Sequence, residues 1–275
     1  MDNTITNSTK VNTCLLHVAN TILCNYSMTS TPDLINGRMG VCLFLYEYAR
    51  LTGIKEYEDI ADDMIDLILK VLRKGQNEEN ISSLSGIGIG VIYLITHNFL
   101  EDTDEQDSLA EVDNYLLKEI EKASAPTEML IPPILYFIYR FLYYRGRIER
   151  NCYHNLANRL LTLFQDHGKK GGEDNIIMNF IMQNVMLIYK HSQNEEIFLN
   201  EATSPFEIVI DYNFGSITAE KIWYGFLFGK TSHTRVINED ILLSLCQNCF
   251  YDADRTVGIL CSYGLMLMNP NKLKS

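Results

Sequence analysis

The sequence has little positive charge and no apolar run long enough to cross a membrane. It carries 23 lysines and arginines against 35 aspartates and glutamates, a formal net charge of −12. Nucleic acid and anionic membrane surfaces are therefore not expected partners, because phosphate binding needs a basic surface. The most apolar run, residues 130–144, is too short for a bilayer span and contains Arg140. A buried helix is predicted there.

The chain also lacks the features of a secreted disulfide scaffold. Its seven cysteines are an odd number without tight spacing, which favours a reducing compartment. The first ten residues, MDNTITNSTK, are polar and contain no apolar core of a secretory signal. These observations predict a soluble, cytoplasmic protein. Since no Gly/Ser-rich linker or change in composition divides the sequence, residues 1–275 are expected to form a single domain.

What the sequence does contain is a repeat of about 45 residues in which an apolar helix alternates with an amphipathic one. In one amphipathic segment, Ile60, Met64 and Ile68 form an apolar stripe, and aspartates occupy the opposite side. The fifth of these segments is the weakest because Pro205 must end or kink a helix. The predicted amphipathic helices lie near residues 11–25, 59–72, 109–120, 156–164, 195–210 and 241–250.

The alternating helices are apolar on almost every side and are therefore predicted to be buried all round. They cover residues 34–51, 84–99, 130–144, 176–189, 217–228 and 256–268. An inner ring of these helices inside an outer amphipathic ring satisfies both classes, giving an all-α, α/α toroid of about six helical hairpins. An open α-solenoid is the alternative, but it needs polar end repeats. The apolar final segment, VGILCSYGLMLM, favours closure.

Glycine-rich motifs recur near the predicted starts of the apolar helices. They read NGRMGV from Asn36, SGIGIG from Ser85 and, more loosely, GILCSYG from Gly258. Glycine inside a helix costs about 0.5–1 kcal/mol relative to alanine, so its repeated use needs a reason. We expect glycine to let inner helices approach closely and to expose backbone N–H groups toward the ring centre.

These motifs resemble the glycine signatures of the lanthionine synthetase C-like family. The segments LINGRMGVCLFLYEYARLTGIKEYEDIADDMID and SLSGIGIGVIYLITHNFLEDTDEQDSLAEVDNYL look like two successive repeats of that family. The resemblance is strongest over residues 33–120 and 258–267. It implies an α/α toroid, usually of seven hairpins. It also implies zinc bound by Trp-Cys-x-Gly and Cys-His-Gly motifs, which activates a peptide cysteine for addition to a dehydrated serine or threonine.

The zinc-binding motifs are incomplete in this sequence. Trp223-Tyr224-Gly225 is similar to the first motif without its cysteine, and Cys-His-Gly does not occur. The nearest text, Cys261-Ser262-Tyr263-Gly264, has serine in the place of histidine. A catalytic zinc site normally uses three protein ligands, and three are not evident here. The sequence therefore predicts no metal and no cofactor, with zinc expected only if Cys261 and other ligands form a divergent site. The protein is a candidate pseudoenzyme, and whether it is an enzyme stays open.

The leading hypothesis is a metal-free member of this family that binds a peptide or small molecule in the central cavity, in the maturation of modified peptides. Arg38 is expected to hold a carboxylate or phosphate, and Trp223 and Tyr224 to form an aromatic wall. The complete set of predicted ligand-binding residues is Asn36, Gly37, Arg38, Ser85, Gly86, Trp223, Tyr224, Cys261, Ser262 and Tyr263.

Two other classes of function remain open at this point. The first is an active enzyme, either a thioether cyclase with divergent zinc ligands or a glycan-active toroid using paired carboxylates. The carboxylate candidates are Asp33, Glu128, Asp174 and Glu220. The second is a scaffold that docks other proteins. The Cys246-x-x-Cys249 pair has metal-ligand spacing, but both residues lie on a predicted apolar stripe, so a packing role is favoured.

Overall fold

The computed structural model describes most of the predicted helical segments. The described residues are 2–29, 31–74, 81–101, 109–125, 128–144, 146, 148–167, 176–195, 219–228, 246–247 and 253–268. Every regular element among them is a helix, which confirms the all-α prediction. None of the helices within these ranges is long and apolar enough to cross a membrane.

Ten α-helices have described bounds, and their order follows the predicted alternation. They are α1 (Asp2–Asn25), α2 (Arg38–Thr52), α3 (Lys55–Lys74), α4 (Ile81–Thr96), α5 (Ala110–Lys122), α6 (Ile131–Tyr143), α7 (Arg150–His167), α8 (Ile176–Gln193), α9 (Ala219–Phe228) and α10 (Ala253–Met268). Short 3-10 turns at Tyr26–Met28 and Glu128–Leu130 follow α1 and precede α6. The predicted helix at 195–210, and most of that at 241–250, lie outside the described residues.

The chain divides into two compact units. Unit 1 combines Met1–Lys74 with Val209–Ser275, and unit 2 is Gly75–Ile208. Each unit is described by itself below. The expectation of a single domain over residues 1–275 and that of a closed ring both stay predictions.

In unit 1, α2 and α3 form a hairpin of an apolar and an amphipathic helix. Almost all of α2 from Met39 to Ala49 is buried. The helix ends at Gly53, whose φ of 72° places it in the left-handed region that glycine adopts at low cost. On α3, Met64 and Ile68 are buried while the aspartates on the other side are exposed, as the periodicity predicted.

The last apolar helix of the chain packs against the first one. In unit 1, α10 contacts α2, and α1 and α9 also pack on α10. A Cβ atom on Gly264 of α10 would overlap the ring of Phe44 on α2, so the glycine permits the close approach.

In unit 2 the apolar helices are neighbours of one another. Helix α6 packs on both α4 and α8, while α5 packs on α4 and α7 on α8. The approach of α4 to α6 is tight at Gly88, where a Cβ atom would overlap the ring of Tyr136. Residues Pro133–Phe141 of α6 are all buried, so residues 130–144 belong to a core helix, as predicted.

Two expectations about the apolar helices are wrong in detail. Helix α8 is not buried all round, because Asn179, Gln183 and Met186 are exposed and follow one another at intervals of four and three residues, which is one helical face. The motif from Ser85 does not open its helix either, since α4 begins at Ile81. Within a helix the N–H groups at these glycines have carbonyl partners four residues earlier, so they are not available to a ligand.

Candidate functional site

A bend before α2 shapes the first part of the predicted site in unit 1. The backbone N–H of Asn36 donates to Asp33 Oδ1 at 2.8 Å, and the N–H of Arg38 donates to the carbonyl of Thr31 at 2.9 Å. Gly37 is buried inside this bend, and a Cβ there would lie 2.5 Å from backbone atoms of Asp33. The glycine is therefore required by the close turn of the chain, and the bend uses the first free N–H groups of α2.

Helices α9 and α10 meet this bend. Trp223 of α9 donates its Nε1–H to the carbonyl of Ile35 at 3.2 Å. On α10, a Cβ on Gly258 would overlap the same carbonyl oxygen and lie 2.8 Å from Asn36 Oδ1. Gly40 gives Trp223 the space it occupies, because a Cβ there would lie 2.9 Å from Trp223 Cζ2. The structure thus brings Asn36, Gly37, Trp223 and the start of α10 together.

Several of the predicted ligand-binding residues lie in the core at this meeting point. Trp223, Cys261 and Ser262 have no exposed surface, and Tyr224 is almost fully buried. The Ser262 hydroxyl donates to the carbonyl of Ile259 at 2.9 Å, a bond within α10. In this conformation these four side chains contact protein atoms rather than solvent, so the residues facing an opening must be sought beside them.

Three polar groups of unit 1 keep unused hydrogen-bonding capacity. Asn36 Oδ1 is enclosed and accepts no hydrogen bond from any described residue. Arg38 is half-buried, and its Nε–H donates to the carbonyl of Thr29 at 3.1 Å, which orients the guanidinium. Tyr263 is 4% exposed, and burial raises its pKa to about 12, so its phenol is neutral and a donor at physiological pH.

The two remaining predicted residues, Ser85 and Gly86, lie in unit 2. Ser85 is buried, and its hydroxyl donates to the carbonyl of Ile81 at 2.7 Å. Gly86 is half-buried. Because they occupy the second turn of α4, their backbone N–H groups form hydrogen bonds within the helix. The Ser85 hydroxyl is also bonded within the helix, so it does not face a ligand site.

The described residues do not fit the zinc site that the resemblance implies. Among them, no three His, Cys, Asp or Glu side chains are grouped so that they could hold a metal ion. Trp223-Tyr224-Gly225, the segment similar to the first motif, contains no cysteine. Cys261 is sealed in the core, and burial raises the pKa of the Cys246 thiol, which disfavours the thiolate that binds metal. The partner of Cys246 in the CxxC pair, Cys249, and the loop residue His233 lie outside the described residues.

The carboxylates considered for glycan chemistry have separate surroundings. Asp33 of unit 1 accepts the Asn36 N–H that holds the bend. Glu128 of unit 2 is exposed in the turn before α6. The side chains of Asp174 and Glu220 lie outside the described part.

A buried charge network in unit 2 was not predicted from the sequence. Arg140 on α6 is completely buried and pairs with Asp113 on α5, with 2.6 Å between Nη2 and Oδ2. Tyr136, one turn before Arg140, donates its hydroxyl to Asp113 Oδ1 at 2.5 Å. The sequence signal was available, since Asp113 falls on the apolar stripe of its helix. The network ties an amphipathic helix to an apolar one.

Comparisons with known proteins agree with the glycine motifs. Residues 29–165 match the family described as lanthionine synthetase C-like protein, a segment that contains the Asn36 and Ser85 motifs and ends before Trp223 and Cys261. Comparison with curated proteins and with solved structures gives no match. The matched segment runs from the bend before α2 into α7 and includes the α2–α3 hairpin. The chain belongs to the lanthionine synthetase C-like family.

Proposed function

We propose that this protein is a metal-free lanthionine synthetase C-like protein of the cytoplasm that binds a peptide or small ligand. The binding site is the cavity that the family fold implies at the centre of the inner helices, and the role is in the maturation of modified peptides. The observation that carries the proposal is the lack of a ligand group: among the described residues no three His, Cys, Asp or Glu side chains are placed to hold a metal ion, and Cys261, the cysteine considered for a divergent site, is enclosed in the core.

The polar groups of unit 1 support a binding role. A buried polar atom without a partner costs free energy, on the order of 1–3 kcal/mol for a neutral group. Asn36 Oδ1 is such an atom but is sealed from solvent, so the group that a ligand reaches is Arg38, whose guanidinium the bond to Thr29 holds in one orientation. An oriented guanidinium suits the two oxygens of a carboxylate or phosphate. A peptide offers such a carboxylate at its C-terminus or on an acidic side chain.

The cytoplasmic assignment is supported by the thiols. The six described cysteines, Cys14, Cys24, Cys42, Cys152, Cys246 and Cys261, are free. Free thiols on a chain with this many cysteines are typical of a reducing compartment.

The first experiment is elemental analysis of zinc in native protein purified without chelator or added metal. We expect far less than one zinc per chain, together with a folded helical circular dichroism spectrum. About one zinc per chain, lost in a Cys261→Ser variant that remains folded, would refute the metal-free proposal and restore cyclase chemistry.

The second experiment selects binders from a random-sequence peptide library on the immobilised protein. We expect enriched sequences whose affinity falls about tenfold in Arg38→Gln, since a charge-assisted hydrogen bond to a bound carboxylate is lost. Arg50→Gln is the matched control, because Arg50 is a surface arginine at the other end of the same helix that faces Glu47 at 3.8 Å. An unenriched library, or equal losses in both variants, would contradict the proposed binding role.

A further inference from the structure

Tyr263 lies in the third turn of α10 and combines deep burial with an unused hydroxyl. Its side chain is 4% exposed, yet no described residue forms a hydrogen bond with the phenol oxygen. Some described side-chain atoms are sealed from solvent and lack a hydrogen-bond partner, but the Tyr263 oxygen is not among them. Because it also lacks a described partner, this oxygen keeps some exposure to solvent. Buried tyrosine hydroxyls usually find a partner. A ligand at this opening would supply the hydrogen-bond acceptor that the Tyr263 hydroxyl lacks.

The neighbours of Tyr263 on the same face of α10 are only partly covered. Ile259 and Leu267 stand four residues before and after it, and both are half-buried. Positions four residues apart share a helical face. In contrast, Leu260 and Leu265 on other faces are fully buried. The strip formed by Ile259, Tyr263 and Leu267 is therefore a face of α10 on which two of the three side chains keep some solvent-exposed surface.

This strip points away from the contact between α10 and α2. Gly264 faces Phe44 of α2, and Gly258 faces Ile35 in the bend just before α2. Tyr263 precedes Gly264 by one position, which turns its side chain by about 100° around the helix axis. Its hydroxyl is thus separate from the packing surface that the glycines serve.

We propose that the Ile259–Tyr263–Leu267 strip binds a peptide segment, with the Tyr263 hydroxyl donating a hydrogen bond to an amide carbonyl oxygen and Ile259 and Leu267 contacting an apolar side chain. This inference rests on the proposed function and names the chemistry of its ligand. A neutral phenol between two aliphatic side chains suits an uncharged acceptor with apolar flanks. The raised pKa of Tyr263 agrees with a role as donor, because the phenol stays protonated.

The test uses two capped amino acids as probes, N-acetyl-leucine methylamide and N-acetyl-glycine methylamide. Their binding to the full chain is measured by NMR titration of the ¹⁵N-labelled protein. Tyr263→Phe removes only the hydroxyl, and we expect it to weaken both probes by about fivefold, the effect of one net hydrogen bond. Ile259→Ala is expected to weaken the leucine probe by roughly threefold through lost apolar contact and to leave the glycine probe unchanged.

Tyr48→Phe is the matched control. Tyr48 is also 4% exposed, but its ring packs edge-on against Tyr57 of α3, with 4.8 Å between the ring centroids. We expect unchanged affinity in this variant. Equal binding of both probes by native protein and Tyr263→Phe overturns the inference and leaves the proposed function standing. Native protein that binds neither probe up to its solubility limit also overturns the inference, whereas the peptide library decides the proposed function independently.

Discussion

Replacing Arg140 by methionine should destabilise the protein more than any surface substitution, because it leaves the Asp113 carboxylate buried without its cation. The two side chains are 0% and 7% exposed and 2.6 Å apart. At an effective dielectric constant of about 20, their attraction is about 6 kcal/mol. Desolvation costs several kcal/mol for each ion, so the pair as a whole contributes little net stability. When Arg140 is removed, the Asp113 carboxylate keeps its desolvation cost and loses the attraction that offsets it.

The expected loss for Arg140→Met is therefore about 3–5 kcal/mol in the free energy of unfolding. The double variant Asp113→Leu, Arg140→Met should lose much less than the two single variants added together, because both charges are gone. Urea unfolding followed by far-UV circular dichroism measures each value. The Tyr136 hydroxyl, which then faces an aliphatic side chain in place of a carboxylate, limits how far the double variant recovers.

Arg50→Met provides the control, since Arg50 is 45% exposed and lies 3.8 Å from Glu47. An exposed pair of this kind contributes less than about 1 kcal/mol, and we expect no larger change. A loss below about 1 kcal/mol for Arg140→Met would refute the argument from buried charge. So would a double variant whose loss equals the sum of the single losses, because the two charges would then act independently.

Three further outcomes follow from the packing and ionisation in unit 1. Gly258→Ala should lower the free energy of unfolding, measured with urea, by about 1–3 kcal/mol, because its Cβ overlaps a backbone carbonyl. Gly146→Ala has open space around it, so its free energy of unfolding should stay within about 0.5 kcal/mol of native. The pKa of Tyr263 in the folded state exceeds its ordinary value of 10.0. Its contribution to the free energy of unfolding is therefore complete below pH 10.0 and is lost toward about pH 12. Tyr263→Phe should flatten the fall of stability in that window, and an unchanged slope would contradict the raised pKa. Trp223, the single tryptophan, is fully buried, so acrylamide should quench its fluorescence weakly until urea unfolds the protein, and strong quenching of native protein would contradict its position.

The amphipathic helices could be predicted from the sequence because their periodicity records which side faces the core. On α3, Met64 and Ile68 are buried and the aspartates are exposed, so a period of 3.6 residues was sufficient. The same reasoning fails for α8, which carries apolar residues over most of its surface but still has an exposed face at Asn179, Gln183 and Met186. The exposed positions of α8 are Asn179, Gln183, Met186, Lys190 and Gln193, at intervals of four and three residues. Four of the five are polar, so the sequence carried a signal for this face, which the apolar content of the segment outweighed.

The partner of a buried charge could not be predicted in this way. Arg140 argues from the sequence against a membrane span, but its pairing depends on which helix lies beside α6. Asp113 falls four residues after Leu109 on an apolar stripe, which indicates burial without naming a partner. Only the packing of α5 and α6 in unit 2 places the two charges together.

The candidate site shows a second limit of sequence reasoning. The motifs select residues near the starts of inner helices, yet they do not distinguish a side chain that faces a neighbouring helix from one that faces an opening. Trp223 and Cys261 prove to be core residues. Tyr263 follows buried Ser262 in the chain but belongs to the partly covered strip. One residue turns a helical side chain by about 100°, so adjacent members of one motif have different surroundings.

The glycines that carry the family resemblance have a packing role in this chain. At Gly258 and Gly264 a Cβ atom would overlap a backbone carbonyl or the ring of Phe44, and at Gly88 it would overlap Tyr136. Each position therefore constrains how closely two helices pack, whatever the protein binds. A zinc ligand, in contrast, constrains the chemistry of a site and not the approach of two helices, so Trp223-Tyr224-Gly225 without a cysteine is compatible with the same packing. The glycines therefore account for the helix packing of this chain whether or not its site holds a metal, and the metal-free ligand site stays a proposal.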